Sequence, residues 1–237
     1  MFAVRNNHAH VVKFLVRHGA NLEKKTKCIL PGEATRETAL HWAIRQQNRK
    51  VCKLLIDAGA DVEAESSLGS PLIYAIQGSE KTDKKIIALL LAAGASPISP
   101  SGRSEYRPIH IAAQMGEVSI IRLLCSAGAK PLPDGQSGKT PLMIACTFCN
   151  VQAAKVLLQM GDDKEARDNH GWTPLMHAAQ LECDGLIQVL LRNGADVSAR
   201  NKTRQTALDI AKSHRNQAGA YLLEKAAERK RRKRVAR

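Results

Sequence analysis

The chain has 237 residues, 24% charged and 44% hydrophobic, with only eight aromatic side chains against thirty-three alanines; this excludes a core built on large rings and favours close packing of thin elements. The longest apolar run, residues 86–95, is about half of what a bilayer span requires, and Met1–Arg5 opens no apolar leader, so no membrane span is expected. The net charge of +14 divides into +8 over residues 1–53, −1 over 54–224 and +7 over the last thirteen, which leaves a neutral middle between two basic ends.

In chain order, residues 1–19 read as half a unit, a helix that ends at Gly19 without the start signal seen later. This half unit predicts a chain that begins inside a longer repeat array, with a degenerate cap as the alternative. A connection lengthened by about seven residues follows, around Lys24 to Glu33, before the first complete unit opens at Thr38. Six segments then share one register: Thr38-Ala-Leu-His-Trp-Ala-Ile, Ser70-Pro-Leu-Ile-Tyr-Ala-Ile, Arg107-Pro-Ile-His-Ile-Ala-Ala, Thr140-Pro-Leu-Met-Ile-Ala-Cys, Thr173-Pro-Leu-Met-His-Ala-Ala and Thr206-Ala-Leu-Asp-Ile-Ala-Lys. Their starts are 32, 37, 33, 33 and 33 residues apart, and the third repeat carries three extra residues within Gly78–Asp83.

Each start is a helix N-terminus, because the Thr hydroxyl caps free amides and Pro at the first helical position loses no needed donor. A second apolar-periodic run such as Val51–Ile56 follows, and glycine ends it at Gly59, Gly94, Gly128, Gly161 and Gly194, where a left-handed cap is expected. One unit is therefore helix, loop, helix and protruding finger. It cannot bury its apolar face alone, so the copies must stack.

These residues resemble the ankyrin repeat, whose period is 33 and whose marker is T-P-L-H-x-A. The resemblance covers roughly residues 1–227 and implies an all-α ankyrin-repeat solenoid with β-hairpin or loop fingers. The repeats fall at about 1–26 (partial), 34–66, 67–102, 103–135, 136–168, 169–201 and 202–227 as a C-terminal cap, with a basic tail at 228–237. It further implies that His41 and His110 hydrogen-bond neighbouring finger backbone. A concave groove would then hold a partner protein.

No catalytic, metal or cofactor site is expected. Gly135–Thr140 imitates a phosphate loop, but Pro133 stands where that motif needs glycine, and Lys139-Thr140 merely opens a repeat. Cys146 and Cys149 have no partner pair at zinc spacing, and Cys146 falls at a buried small-residue position. The six cysteines, Cys28, Cys52, Cys125, Cys146, Cys149 and Cys183, sit in a chain too large to need staples. They predict reduced thiols in an intracellular compartment, cytoplasmic or nuclear.

The register also locates the exposed positions. Tyr106, Phe148 and Trp172 place three of the eight aromatics on them, with Met115, His170 and Leu181 alongside. These six are the expected partner contacts, since exposed aromatics carry most hot-spot energy. Trp42 and Tyr74 are assigned to packing. The run Arg229, Lys230, Arg231, Arg232, Lys233, Arg234 resembles a nuclear import signal read by an import receptor and is expected to fold against nothing. The resulting function is a non-catalytic protein-interaction scaffold. The alternatives are a nucleic-acid-associated regulator using the basic ends, or the repeat region of a larger multidomain protein.

Overall fold

The computed structural model describes residues 1–26, 36–78, 83–100 and 105–235. Most of the lengthened finger, including Cys28, and the insertion at 79–82 lie outside the described residues. The chain divides into two compact units, residues 1–111 with 126–129, and residues 112–125 with 130–237.

Unit one holds α1 (Phe2–Arg5), α2 (Ala9–Arg17), α3 (Ala39–Arg45), α4 (Arg49–Asp57), α5 (Pro71–Gln77) and α6 (Lys84–Ala92). The division passes through the fourth repeat, made of α7 (Pro108–Met115) and α8 (Val118–Ser126). Unit two continues with α9 (Pro141–Thr147), α10 (Val151–Gln159), α11 (Pro174–Gln180), α12 (Asp184–Arg192), α13 (Ala207–Ser213) and α14 (Gln217–Val235). In unit one α1, α3 and α5 pack in series as inner helices while α2, α4 and α6 pack as outer ones. Unit two repeats the scheme with α9, α11 and α13 inside and α10, α12 and α14 outside.

The starts cap their helices as their chemistry requires. Thr140 and Thr173 accept from the amides of Met143 (3.3 Å) and Met176 (3.4 Å). Thr206 and Asp209 form a reciprocal capping box. At Thr38 the histidine of the marker takes the acidic residue's part. Its Nδ1 accepts the Thr38 amide at 3.3 Å, which leaves the proton on Nε2 to donate to the Gly69 carbonyl at 3.2 Å. Burial lowers the His41 pKa to about 4, so the ring stays neutral in this role. Past each outer helix, Gly59, Gly94, Gly128, Gly161 and Gly194 have φ of 80–98°, a region open to glycine at little cost.

The inner helices bury leucine and small residues against their neighbours, as with Leu142, Ala145, Leu175, Ala178 and Ala179 in unit two. The outer helices bury Ala153, Ala154, Leu157, Leu186, Ile187 and Leu190. Among the described residues the fingers contain no strand, only an isolated bridge between Ser66 and Gly69. In unit two each finger is a turn folded on one side chain: Asp134 accepts from Ser137 and Gly138, Asp168 from His170 and Trp172, and Asn201 from Thr203 and Gln205. Adjacent fingers are tied by Asn169 N–H to Ser137 O (3.0 Å) and Lys202 N–H to His170 O (3.1 Å).

Two expectations are corrected. Cys149 and Cys183 form a disulfide, with Cα atoms 5.8 Å apart; stacking brings repeats five and six together and so joins sulfurs that lie 34 residues apart in sequence. The basic run is also not unsupported chain. Helix α14 carries it to Val235, and Lys230 donates to Asp196 (2.5 Å) and Ser198 (2.9 Å) on the preceding finger.

Candidate functional site

The structure divides the six expected contact residues into separate groups. Met115, Phe148 and Leu181 occupy one register position in three consecutive repeats, at the C-terminal ends of α7, α9 and α11. All three belong to unit two, and they are 40%, 48% and 37% exposed. They form a row of apolar groups that each inner helix presents as it ends. His170 and Trp172 lie at the other end of α11, about 10 Å away along a seven-residue helix.

Trp172 is half buried, with its ring 5.2 Å from that of His177. His177 Nε2 meets Asp168 at 3.0 Å, and Asp168 also accepts the Trp172 amide at 2.8 Å. Burial pushes the Asp168 carboxyl up, but the His177 hydrogen bond and the amides of Trp172 and His170 outweigh it and hold the group below the usual carboxylate range. Trp172 therefore belongs to the framework of its finger as well as to the surface, whereas His170 is exposed. Tyr106 lies in unit one, half buried and stacked on His110 at 5.5 Å.

Two arrangements escaped the sequence reading. Tyr74 is buried as expected, but its hydroxyl donates to Glu37 at 2.7 Å. Glu37 is itself buried and lies 3.6 Å from Arg45. Trp42 is only half buried and takes a guanidinium on its ring from both Arg5 (5.6 Å) and Arg45 (5.3 Å). The signal available was the pair Glu37 and Arg45, both at exposed register positions, although nothing in the spacing joins them to Trp42.

The second arrangement is Asp162. Repeats two, three, four and six follow the helix-ending glycine with alanine (Ala60, Ala95, Ala129, Ala195), while repeat five has Asp162, only 5% exposed. One carboxylate oxygen accepts the Leu142 amide at 2.8 Å and the other has no partner. Burial pushes this carboxyl up to about 7.

Among the described residues no group of three or more His, Cys, Asp or Glu is placed to hold a metal ion. No helix among them is long and apolar enough to cross a membrane.

Family models of ankyrin repeats match residues 1–66, 105–134, 132–201 and 162–233. The chain belongs to the ankyrin-repeat family. Its fold is similar to that in the crystal structure of the ankyrin repeat domain of Bcl-3, described as a unique member of the IkappaB protein family. The TM-score is 0.78 over 94% of this chain and 96% of that one, at 24% identity. In sequence, the ankyrin-repeat chain is 37% identical over 68 residues to diacylglycerol kinase iota of Homo sapiens and 39% identical over 69 residues to that of Rattus norvegicus. These matches cover 29% of the chain and 6% of the length of those relatives. The fold is an all-α ankyrin-repeat solenoid, a protein-interaction repeat domain.

Proposed function

We propose that the chain is a non-catalytic adaptor that holds a partner protein on the inner-helix side of unit two, through Met115, Phe148 and Leu181. His170 and Trp172 extend this contact from the finger side, and Tyr106 in unit one is a separate contact residue. The observation that carries the reading is the repetition: three exposed, large apolar side chains at one register position in consecutive repeats. A soluble surface gains nothing by repeating such exposure, whereas a row of anchors suits an apolar stretch of partner chain.

The test is affinity capture with the intact chain and with a Phe148→Ser, Leu181→Ser double variant of unchanged thermal stability. Loss of the captured proteins by tenfold or more is expected, since truncated anchors cost about 2 kcal/mol or more each. An unchanged profile overturns the reading.

A second reading rests on α14, where Arg229, Arg231 and Arg232 are exposed and Lys233 and Arg234 continue the helix. It makes the helix an import signal or a nucleic-acid contact. Removal of residues 229–237 is expected to abolish nuclear accumulation in the first case. In the second it abolishes a gel shift whose affinity falls steeply, about 10³-fold or more, between roughly 50 and 200 mM salt. An unaltered distribution together with no shift at low salt removes both.

A further inference from the structure

In three of the complete repeats the residue ten positions after the start ties the turn between inner and outer helix to the repeat before it. In repeats two, five and seven that residue is Asn48, Asn150 and Asn216. Asn150 Nδ2 donates to the carbonyls of Ala113 (2.9 Å) and Gln114 (2.7 Å), at the inner-helix end of the repeat before it. Asn216 donates likewise to Ala179 (3.2 Å) and Leu181 (2.6 Å), and its Oδ1 caps its own helix at Gly219 (2.7 Å). Asn48 reaches back to Asn7 and caps its helix at Val51. In these three repeats the asparagine is thus a hydrogen-bonded clamp to the preceding repeat; repeat four has Glu117 in that place.

Repeat six has Cys183 in that place, which can neither donate to two carbonyls nor cap α12, and no side-chain cap bond forms there. Its hold on repeat five is the bond to Cys149 instead. Cys149 occupies the left-handed position of the interhelix turn, with φ of 57°, the place that Gly116 takes in repeat four and Arg215 in repeat seven. Two departures from the repeat, one residue apart in register, are therefore complementary. A permanent hydrogen-bonded clamp is replaced by a covalent one that exists only when oxidised, beside a long contact of Cys183 Sγ with the Cys149 carbonyl at 3.8 Å. The two sulfurs are also unequally accessible: Cys149 is exposed, whereas Cys183 is 4% exposed. The free thiols of Cys52 and Cys146 are fully buried and those of Cys125 partly so.

We propose that Cys149–Cys183 is a thiol–disulfide exchange site, at which a small monothiol and its disulfide, of the glutathione class, make and release the clamp of repeat six on repeat five. A monothiolate attacks the exposed Cys149 Sγ, forming a mixed disulfide there, while Cys183 leaves as a thiolate and takes a proton from water. A second monothiolate attacks the mixed disulfide, releasing the small-molecule disulfide and the Cys149 thiolate, which is protonated. Two monothiols are oxidised and one protein disulfide is reduced. Because Phe148 precedes Cys149 and Leu181 lies two residues before Cys183, the released clamp loosens the two ends that carry the apolar row. This last consequence rests on the row as the partner site; the exchange itself does not.

The test equilibrates the purified full chain across ratios of reduced to oxidised glutathione, traps thiols by alkylation and quantifies each cysteine by mass spectrometry. Cys149 and Cys183 are expected to change together and reversibly, with a mixed disulfide seen at Cys149 and not at Cys183. Amide hydrogen exchange over 147–151 and 181–186 is expected to speed up at least tenfold on reduction, while the asparagine-clamped turn at 214–218 is unaffected. Cys183→Asn introduces the clamp residue of repeats two, five and seven, so its exchange and melting should not respond to reductant. Cys149 and Cys183 that are both freely alkylated under full oxidation overturn the proposal, as does unchanged exchange at these turns on reduction. A Cys183→Asn chain still sensitive to reductant overturns it equally. The Phe148→Ser capture experiment touches neither sulfur, so failure of the row and failure of the switch are separately visible.

Discussion

Single residues set local costs that the repeat pattern conceals. Asp162 occupies a place made for alanine, with one carboxylate oxygen unpartnered. Its pKa rises from 3.8 to about 7 on folding because burial disfavours the charge. A raised carboxyl pKa means that the folded state holds a proton the unfolded chain has lost, so this contribution is full below pH 3.8 and is lost as pH climbs through about 7. The loss is bounded at about 4 kcal/mol by the size of the shift. Asp162→Ala is expected to raise the melting temperature at pH 8 and to raise it much less at pH 5, where the protonated acid keeps its bond to Leu142. Thermal melts at the two pH values check this; equal gains at both would show that charge is not the cause. His41 acts in the opposite sense: its folded pKa of about 4 lies below 6.5, so its stabilisation is present above pH 6.5 and is lost as pH falls toward 4.

At the scale of elements, the helices follow from local chemistry and their partners do not. Thr140, Thr173 and Thr206 cap because hydroxyl and amide are three residues apart in the chain, which any reader of the sequence can count. The extension of α14 is a different matter. Its basic run repels itself, yet Lys230 reaches the finger of repeat six, and that hydrogen bond, with those of Ser198, lowers the Asp196 pKa to about 2. Lys230→Ala is expected to return the Asp196 carboxyl toward 3.8, measured by carboxyl NMR titration. An unmoved titration would show that Lys230 does not hold the helix to the finger in solution.

For the molecule as a whole, repetition is what made the fold readable. The same start, spacing and terminal glycine recur across the chain, so each repeat checks the assignment of its neighbours. The row at Met115, Phe148 and Leu181 was legible for the same reason, since one register position names all three. The contact between Arg5 and Trp42, the disulfide and the Lys230 bond were not legible. Each joins residues about 33 or more positions apart, and each depends on how closely one repeat approaches the next. Trp172 shows the intermediate case: register marks it as exposed, while the structure sets its ring beside His177 and its amide on Asp168.

What the amino-acid order determined alone is the repeat, its helices and caps, and the positions that face outward, because these depend on chemistry within a few residues. What only the tertiary structure decided is which departures from the repeat meet. Cys149 and Cys183 are unremarkable in a list of six cysteines and become a bond once repeat six stacks on repeat five. Stacking converts a spacing of one repeat length into contact distance, and a side chain can exploit that contact only where a neighbour carries a matching partner.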